Sequence, residues 1–391
     1  MISVKDKKNC SGCQACYNAC PQGCIKMKID MEGFWYPEAD IENCLDCSTC
    51  DEVCPIRNNK YGNEDDLQNK IKAYACYNKD EDARMGSSSG GLFSVIAERM
   101  IEKGGVVFGA SFDKNCAVTH ICIEKITDLG KLRGSKYVQS RIGNSYQRVR
   151  DLLTQNRQVL FTGTPCQVAG LRAFLGQRDD NLFCIDIICY GVPSPKVWQK
   201  YLTYQENLAG SKAEYIYFRS KVDGWKNYNL VILFENNTQY SQPHGNDLFM
   251  KAFLNNVCLR PSCYDCTYKT LKRKSDITLA DFWGVQDMLP EMDDDKGTSL
   301  IFINTDKGQK LFEQINECIV YSEVDINQAL VYNPAAIKSS PYNPKRNNFL
   351  KNLEKLPFDR LVKKYCMDSL VIKVKRKVKF LVLKILKKSR L

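Results

Sequence analysis

The 391-residue sequence, with 44% hydrophobic and 26% charged residues, has the composition of a folded protein long enough for two or three domains. Most of its net charge of +11 comes from residues 371–391, which carry nine Lys and Arg and no acidic residue, so the rest of the chain is nearly neutral. Because no DNA-reading motif accompanies this charge, we expect no nucleic-acid partner.

The chain contains 20 cysteines, and its first residues, MISVKDKKNC, lack the apolar run of a secretory signal. These features predict a cytoplasmic protein in which clustered thiols hold metal or carry out redox chemistry instead of forming disulfides. His120 and His244 are the only histidines, which argues against a histidine-rich metal site or histidine-based hydrolysis.

Residues 1–60 are predicted to form a small head with two copies of a ferredoxin-type motif, Cys-x2-Cys-x2-Cys-x3-Cys-Pro. In this motif the first three cysteines bind one 4Fe-4S cluster and the fourth binds the other cluster. The predicted ligands are Cys10, Cys13, Cys16 and Cys54 for one cluster, and Cys44, Cys47, Cys50 and Cys20 for its partner. Cys24 is predicted to be a small buried side chain with no metal role.

A polar linker is predicted at residues 61–70, and an alternating pattern of strands and helices follows it. Three apolar runs, at 71–77, 157–162 and 181–188, each end in a loop of small residues that precedes a helical pattern. This alternation predicts an α/β domain whose ligands lie at the carboxyl ends of the strands. With the small head, the expected class is α+β and α/β, multidomain.

Two of these loops, and a third segment between them, have residues suited to a phosphate-bearing cofactor. Hydroxyl groups and unhindered glycine amides at helix N-termini favour anions, although plain helix caps have the same composition. Lys136, in the segment GSKYVQS, is either a phosphate or flavin contact or a solvated lysine. The candidate cofactor-binding residues are Ser88, Ser89, Gly90, Gly91, Lys136, Thr164, Pro165 and Gln167.

A second group of cysteines lies in the segment CLRPSCYDC. Cys258, Cys263 and Cys266 have a spacing that fits either an iron-sulfur cluster or zinc, and a fourth ligand must come from elsewhere. Cys189, where a predicted strand meets a loop, is the first candidate for that ligand, and Cys166 is the second.

The C-terminal part is expected to be a helical extension, residues 326–370, followed by a basic amphipathic tail, residues 371–391. Apolar residues recur at helical spacing in the tail and lysines occupy much of the remaining circumference. Such a helix is suited to lie on an anionic membrane face, so we expect peripheral contact with the inner face of the membrane.

Several segments together resemble the beta-subunit family of coenzyme F420 hydrogenases and dehydrogenases. They are the head with its two cysteine motifs, "SSSGGLFSVIAERMIEKGGVVFGASFD", "GSKYVQS", "LFTGTPCQVAGLRAFL", "CYGVPSPKVWQKYL", "CLRPSCYDC" and "SDITLADFWG". The resemblance implies an N-terminal part of the family domain at 71–155 and a C-terminal part at 156–325. It also implies a third 4Fe-4S cluster at the second cysteine group, and an FAD pocket formed by the loops SSSGG, GSKY and GTPCQ.

The expected function is therefore an iron-sulfur flavoprotein oxidoreductase that passes electrons between 4Fe-4S clusters and an organic acceptor or donor through FAD. Coenzyme F420 is one organic partner that the resemblance suggests, and a redox partner protein is another. Two alternatives remain open: an electron-transfer subunit without a small-molecule substrate, and a zinc-stabilised binding protein. Fold and cofactor alone do not fix the acceptor.

Overall fold

The computed structural model describes residues 1–58, 71–176 and 179–367. The predicted linker and the predicted basic tail lie outside these residues. Within the described residues, no helix is long and apolar enough to cross a membrane.

The head consists of two short helices and one β-hairpin. They are α1 (Ala15–Ala19), β1 (Ile25–Ile29), β2 (Trp35–Ala39) and α2 (Thr49–Glu52). β1 and β2 pair antiparallel, and each helix lies inside one of the two cysteine motifs. Asn18 of α1 donates hydrogen bonds to the backbone oxygens of Gln14 and Gly143, so the head packs directly on the body of the protein.

An eight-stranded mixed sheet forms the centre of the body, in the order β13-β3-β12-β11-β7-β6-β4-β5. Its strands are β3 (Lys72–Asn78), β4 (Val106–Phe112), β5 (Val118–Ile123), β6 (Val159–Gly163), β7 (Leu182–Ile187), β11 (Ile277–Asp281), β12 (Ser299–Ile303) and β13 (Ile319–Val324). The strands β4, β6, β7 and β11 run parallel to one another. The three strands predicted from apolar runs are confirmed as β3, β6 and β7.

Helices cover both faces of this sheet because successive side chains of a strand point to opposite faces. Val107 and Leu160 pack on one face with α4 (Leu92–Glu102) and α11 (Asp306–Glu313). Phe108 and Phe161 pack on the other face with α6 (Ser145–Thr154) and α7 (Pro165–Leu175). The predicted mixture of helices and strands is therefore confirmed as a mixed sheet between two helical layers.

A second, antiparallel sheet of three strands has the order β10-β9-β8. Its strands are β8 (Ala213–Ser220), β9 (Asn229–Phe234) and β10 (Gln239–Pro243). Trp198 and Phe249 are fully buried against this sheet, from α8 (Pro195–Ala209) and α9 (Leu248–Leu254) respectively. The remaining helices are α3 (Glu81–Met85), α5 (Leu129–Leu132), α10 (Val285–Met288), α12 (Ile326–Tyr332), α13 (Arg346–Lys351) and α14 (Phe358–Cys366).

The loops predicted to carry function lie along one edge of the large sheet. β6 and β7 end at this edge and lead to the segments after Gly163 and Ile187. β3 runs in the same direction as β7, because the two antiparallel pairings β3–β12 and β12–β11 are followed by the parallel pairing β11–β7. Ser299, at the start of β12, pairs with Cys76 near the end of β3 and brings a further loop to the same edge.

Candidate functional site

One cavity in the head, which we call the outer cavity, is lined by the four cysteines that the spacing assigns to a single cluster. They are Cys20, Cys44, Cys47 and Cys50. The side chain of Cys47 is exposed, and Met1 and Leu45 lie at the rim, so this cavity is next to the protein surface. Cys24 also lines the cavity, with its Sγ 3.3 Å from the Sγ of Cys20.

A second cavity in the head, the inner cavity, is lined by the other predicted set of ligands. They are Cys10, Cys13, Cys16 and Cys54. Burial raises the pKa of the Cys13 thiol to about 12. Burial, followed by the neighbouring thiols of Cys13, Cys10 and Cys54, also raises the pKa of Cys16. Thiols with raised pKa values, such as those of Cys13 and Cys16, become thiolate ligands only when a metal cation compensates their charge.

The two motifs have the same unusual backbone conformation at corresponding positions. In the first motif, Gly12 and Gln14 have φ of 70° and 63°, and in the second, Asp46 and Ser48 have φ of 48° and 60°. Residues other than glycine seldom adopt positive φ, because the Cβ atom then crowds the backbone. In each motif the two residues with positive φ flank the second cysteine, Cys13 or Cys47. The backbone therefore turns sharply there, as it must in a loop that encloses a cluster.

The third cavity, the body cavity, lies at the functional edge of the large sheet and is lined by four cysteines from three separate segments. They are Cys166, Cys189, Cys263 and Cys266. Cys166 is in the first turn of α7, Cys189 follows β7, and the last two belong to the turn at Pro261–Asp265 and its end. Burial raises the pKa of Cys166, as do the neighbouring thiols of Cys189, Cys266 and Cys263.

Cys258 is not among the residues that line the body cavity, in contrast to the sequence prediction. It is fully buried in the apolar core against α8 and α9, and its thiol lies near Cys366 and Arg346. The backbone explains this placement: the carbonyl of Cys258 accepts a 2.9 Å hydrogen bond from the Ser194 amide, and Leu259 pairs with Pro193. Cys166, the second candidate from the sequence, lines the cavity together with Cys189.

Tyr268 connects the surroundings of the inner and body cavities. Its phenol is close enough to Cys13 and Cys54 on one side, and to Cys166 and Cys266 on the other, for all four thiols to raise its pKa, although burial is the largest cause. The hydroxyl oxygen is buried and has no hydrogen-bond partner in the part of the chain that the structure describes. The two cavities are neighbours, because Asn9, Ser11 and Ile56 line both of them.

The predicted cofactor loops come together at the same edge of the sheet. The amide of Ser135 donates a 2.7 Å hydrogen bond to Ser88 Oγ, which joins the GSKY and SSSGG loops. Gln167 Nε2 donates a longer bond, 3.4 Å, to the carbonyl of Ser140 and joins the GTPCQ loop to the segment after GSKY. These contacts bring the three loops next to one another.

Several of the predicted cofactor-binding groups are occupied by contacts within the protein. Ser89 Oγ donates to the carbonyl of Thr298, and the Gly90 amide donates to Ser299 Oγ. Thr164 caps α7 in a reciprocal arrangement with Gln167, and Pro165 follows at the first helical position and lines the body cavity. Gly91, with φ of 84°, precedes α4 without a side-chain cap, and the start of that helix is buried against Asn78 and Arg84.

Lys136 holds its own loop. Its Nζ lies 3.1 to 3.2 Å from the carbonyls of Leu132, Arg133 and Gly134, and burial lowers its pKa to about 7. In this arrangement the amine stabilises the turn before GSKY and is not directed at an open anion site.

Lys221 makes a similar contact that the sequence did not reveal. Its buried Nζ donates to the carbonyls of Arg84, Ser89 and Lys296 at 2.6 to 2.7 Å. Burial, together with Arg84 and Arg219, lowers its pKa to about 7. Lys221 therefore ties the SSSGG loop to the loop before β12, and the segment FRSK carries no pattern from which this role could have been predicted.

Two family models match the chain. Residues 9–58 match the 4Fe-4S dicluster domain, and residues 156–329 match the family described as the C terminus of the coenzyme F420 hydrogenase/dehydrogenase beta subunit. Among solved structures, a chain from the F420-reducing [NiFe] hydrogenase complex of Methanosarcina barkeri, studied by xenon derivatization, is 16% identical. That match covers 75% of this chain and 90% of the other, with a TM-score of 0.43.

No curated protein matches the chain. The two family models nevertheless confirm both parts of the resemblance noted in the sequence, the ferredoxin-type head and the family of the body. The chain therefore joins a segment that matches the 4Fe-4S dicluster domain to a segment that matches the C terminus of the coenzyme F420 hydrogenase/dehydrogenase beta subunit.

Proposed function

We propose that the protein is an iron-sulfur flavoprotein oxidoreductase that passes electrons between three 4Fe-4S clusters and an organic acceptor or donor through FAD. The observation that carries the proposal is that three cavities, each lined by at least four cysteines, follow one another from the surface of the head to the edge of the large sheet. When bound, such clusters transfer single electrons and the flavin collects two of them for an organic molecule.

The proposed ligands follow the cavities. The outer cluster is held by Cys20, Cys44, Cys47 and Cys50, the inner cluster by Cys10, Cys13, Cys16 and Cys54, and the third cluster by Cys166, Cys189, Cys263 and Cys266. Backbone amides support the thiolates: Val192 N lies 3.5 Å from Cys263 Sγ, and Asp46 N lies 3.4 Å from Cys44 Sγ. Donors of this kind stabilise the negative charge of a thiolate ligand.

The head is held in a fixed position, which keeps the distance between the inner and third clusters constant. Arg346, buried in the body, forms a bidentate ion pair with Glu32 of the head at 2.9 and 2.6 Å. Ser194 Oγ donates to the backbone carbonyl of the same Glu32. Electron transfer therefore needs no docking movement of the head.

FAD is proposed to bind where the three predicted loops meet. Support comes from the hydrogen bonds that join these loops and from the N-terminus of α4, which has no side-chain cap after Gly91. The residues proposed for this pocket remain Ser88, Ser89, Gly90, Gly91, Lys136, Thr164, Pro165 and Gln167. Since Lys136 and Ser89 already have protein partners, backbone amides are the more direct contacts for a phosphate. Coenzyme F420 is proposed as one of the organic partners.

Quantification of iron, acid-labile sulfide and flavin after anaerobic purification tests the proposal. We expect about twelve irons and about twelve sulfides per chain, from three cubanes, and one FAD. About eight irons without flavin would overturn the proposal for the body while leaving the dicluster head. A colourless protein rich in zinc would overturn it for the whole chain.

A second candidate function is an electron-transfer subunit that serves a partner enzyme and has no small-molecule substrate. The exposed thiol of Cys47 and the exposed side chains of Ile41 and Leu45 favour it, because they give a partner protein direct access to the outer cavity. A flavin-free protein that reduces no organic acceptor, yet transfers electrons to a partner enzyme, would support this function over the first.

A further inference from the structure

Arg260 lies at the junction of head and body and is fully buried. Its Nε donates a 2.8 Å hydrogen bond to the carbonyl of Cys10, and its Nη1 lies 3.1 Å from Gln139 Oε1. Its Nη2 donates to the carbonyl of Trp35 at 3.0 Å and lies 3.5 Å from Cys10 Sγ. None of these acceptors is a carboxylate, so none of them neutralises the guanidinium.

The inner motif leaves room for this side chain. A Cβ atom on Gly12 would lie 2.9 Å from Arg260 Cζ and 2.5 Å from Gln139 Nε2, so only glycine fits at position 12. The guanidinium also lies over the ring of Tyr36, 4.2 Å from its centroid. The positive charge is thus fixed against a thiol that we propose to be a cluster ligand.

A fixed positive charge beside a cluster favours its reduced form, because reduction adds one negative charge. The effect is strong here because a fully buried guanidinium is poorly screened by water and salt. Arg57 and Lys5 also line the inner cavity, but Arg57 is paired with Asp51, and Lys5 is exposed, so that water and salt screen its charge. Arg260 is therefore the buried, unneutralised charge next to the inner site.

The residues around the outer cavity are, in contrast, mainly negatively charged. Residues 39–54, which supply three of its cysteines, contain five acidic residues and no Lys or Arg. The amine of Met1 lies 2.8 Å from Asp51 and 3.6 Å from Asp46, and Arg57 also pairs with Asp51, so these two cations offset part of the negative charge. What remains disfavours the addition of an electron to the outer cluster.

We propose that Arg260 raises the reduction potential of the inner cluster above that of the outer cluster and so directs electrons from the head into the body. With both clusters bound, an electron from a one-electron donor such as dithionite or a reduced ferredoxin would pass from the outer site, which would be oxidised, to the inner site, which would be reduced. This inference rests on the ligands given under the proposed function and adds a direction to them. We class Arg260 as a positioning residue, because it places a positive charge next to the inner cluster.

A redox titration followed by electron paramagnetic resonance tests the inference on the full-length protein. In the wild type, the inner cluster is expected to be reduced at a higher potential than the outer cluster. In Arg260→Gln, the ratio of oxidised to reduced inner cluster at a fixed potential is expected to rise about tenfold, a shift of about 59 mV for a one-electron couple. The outer cluster is expected to keep its potential, and Cys47→Ser, at the exposed ligand, identifies its signal.

Arg346→Gln is the matched control, because Arg346 is also a buried arginine that joins the same loop to the head. Its guanidinium contacts Glu32 and the carbonyl of Leu259. We expect this variant to lose stability without moving the inner potential. Arg260→Lys keeps the charge and is expected to retain most of the wild-type potential.

Three results would overturn the inference: an inner cluster that is reduced at a lower potential than the outer one in the wild type, an unchanged inner potential in Arg260→Gln, or equal shifts in Arg260→Gln and Arg346→Gln. The first measurement needs no variant, so it decides the matter even if Arg260→Gln does not fold. These outcomes differ from failure of the proposed function, which would appear as missing iron or missing flavin in the wild type.

Discussion

Gly170, in the middle of α7, lies directly against Cys13 of the head. A Cβ atom on Gly170 would be 2.8 Å from Cys13 Cβ and 3.0 Å from Cys13 Sγ. Since Cys166 belongs to the first turn of the same helix, α7 brings a cysteine of the body cavity close to a cysteine of the inner cavity. The close approach of head and body depends on a missing side chain.

We predict that Gly170→Ala weakens the packing of the head on α7. Alanine is the better helix former, but the added methyl group overlaps Cys13, and overpacking of this kind costs about 1–3 kcal/mol. The free energy of unfolding is expected to fall by that amount, and electrons are expected to pass more slowly from the inner to the third cluster. Urea unfolding and stopped-flow reduction with dithionite measure the two effects.

Gly130→Ala is the control for this substitution. Gly130 lies in the short helix α5, and a Cβ atom there would meet nothing within 4 Å. Its replacement is expected to leave electron transfer unchanged and to stabilise the helix by up to about 1 kcal/mol. If Gly170→Ala matched Gly130→Ala in its free energy of unfolding and in its rate of electron transfer, the close contact with Cys13 would affect neither property.

The second prediction separates Cys166 from Cys258 as ligands of the third cluster. Cys166→Ala is expected to lower the iron content by about four atoms per chain, because one cubane loses a ligand. Cys258→Ala is expected to keep all the iron and to lower the free energy of unfolding by roughly 1 kcal/mol, the cost of a small cavity in a packed core. Iron analysis and thermal unfolding of the two variants give the answer.

The two substitutions control for each other, because both remove a buried sulfur from the same half of the protein. Four irons lost from Cys258→Ala, with none lost from Cys166→Ala, would restore the ligand set suggested by the Cys258, Cys263 and Cys266 spacing. Loss of iron from both variants would mean that the iron content falls because the protein unfolds, and thermal unfolding would then show a lower stability in both.

The sequence predicted the head better than the body for a physical reason. In the motifs that begin at Cys10 and Cys44, cysteines separated by only two residues must lie close together, so spacing alone groups them. In the body, the cavity draws its cysteines from segments about 20 to 100 residues apart, and their meeting depends on sheet topology. Cys189 was named as a candidate because it stands where a strand meets a loop, with Cys166 second, and both line the body cavity.

Cysteine spacing did not predict that Cys258 lies in the apolar core and outside the lining of the body cavity. The five-residue step to Cys263 is long enough for the chain to change direction, and the pairing of Leu259 with Pro193 directs Cys258 into the core. Arg260, two residues after Cys258, has no sequence signal at all, since its role depends on the docking of a head 250 residues away in the chain. Such contacts follow from tertiary packing and not from local pattern.

The third prediction concerns the amine that holds the SSSGG loop. Lys221→Leu is expected to lower the free energy of unfolding by about 1–3 kcal/mol, because three buried carbonyls lose their donor. If this loop forms the flavin pocket, the flavin content is expected to fall while the iron content stays unchanged. Absorbance of released flavin and iron analysis on the same sample measure both.

Lys226→Ala is the matched control, because Lys226 lies five residues further along and pairs with Asp293 at the surface. Surface substitutions usually change stability by less than about 0.5 kcal/mol. A Lys221→Leu protein with full flavin and reduced stability would mean that the loop is structural and that FAD, if present, binds elsewhere.

The fourth prediction is a pH dependence caused by His120. Burial lowers the pKa of its imidazole from 6.5 to about 4, and both ring nitrogens have partners: Ser140 Oγ at 2.6 Å from Nδ1 and the Thr162 carbonyl at 3.0 Å from Nε2. Between these two pKa values the unfolded chain binds a proton that the folded protein excludes, so stability falls as the pH falls. The stabilising contribution is complete above about pH 6.5 and is lost towards pH 4.

Over that whole range the loss amounts to roughly 3 kcal/mol, since one pKa unit corresponds to about 1.4 kcal/mol. Urea unfolding at pH 7.5 and pH 5.0 measures the part of this loss that falls above pH 5.0, about 2 kcal/mol. His120→Gln, which cannot titrate, is expected to be less stable at pH 7.5 but to lose less on acidification. Comparison of the two proteins at each pH removes the effect of acid on the clusters, because both contain the same cysteines. Parallel loss of stability in the two proteins would mean that other groups, and not the imidazole between β5 and β6, determine the acid sensitivity of the fold.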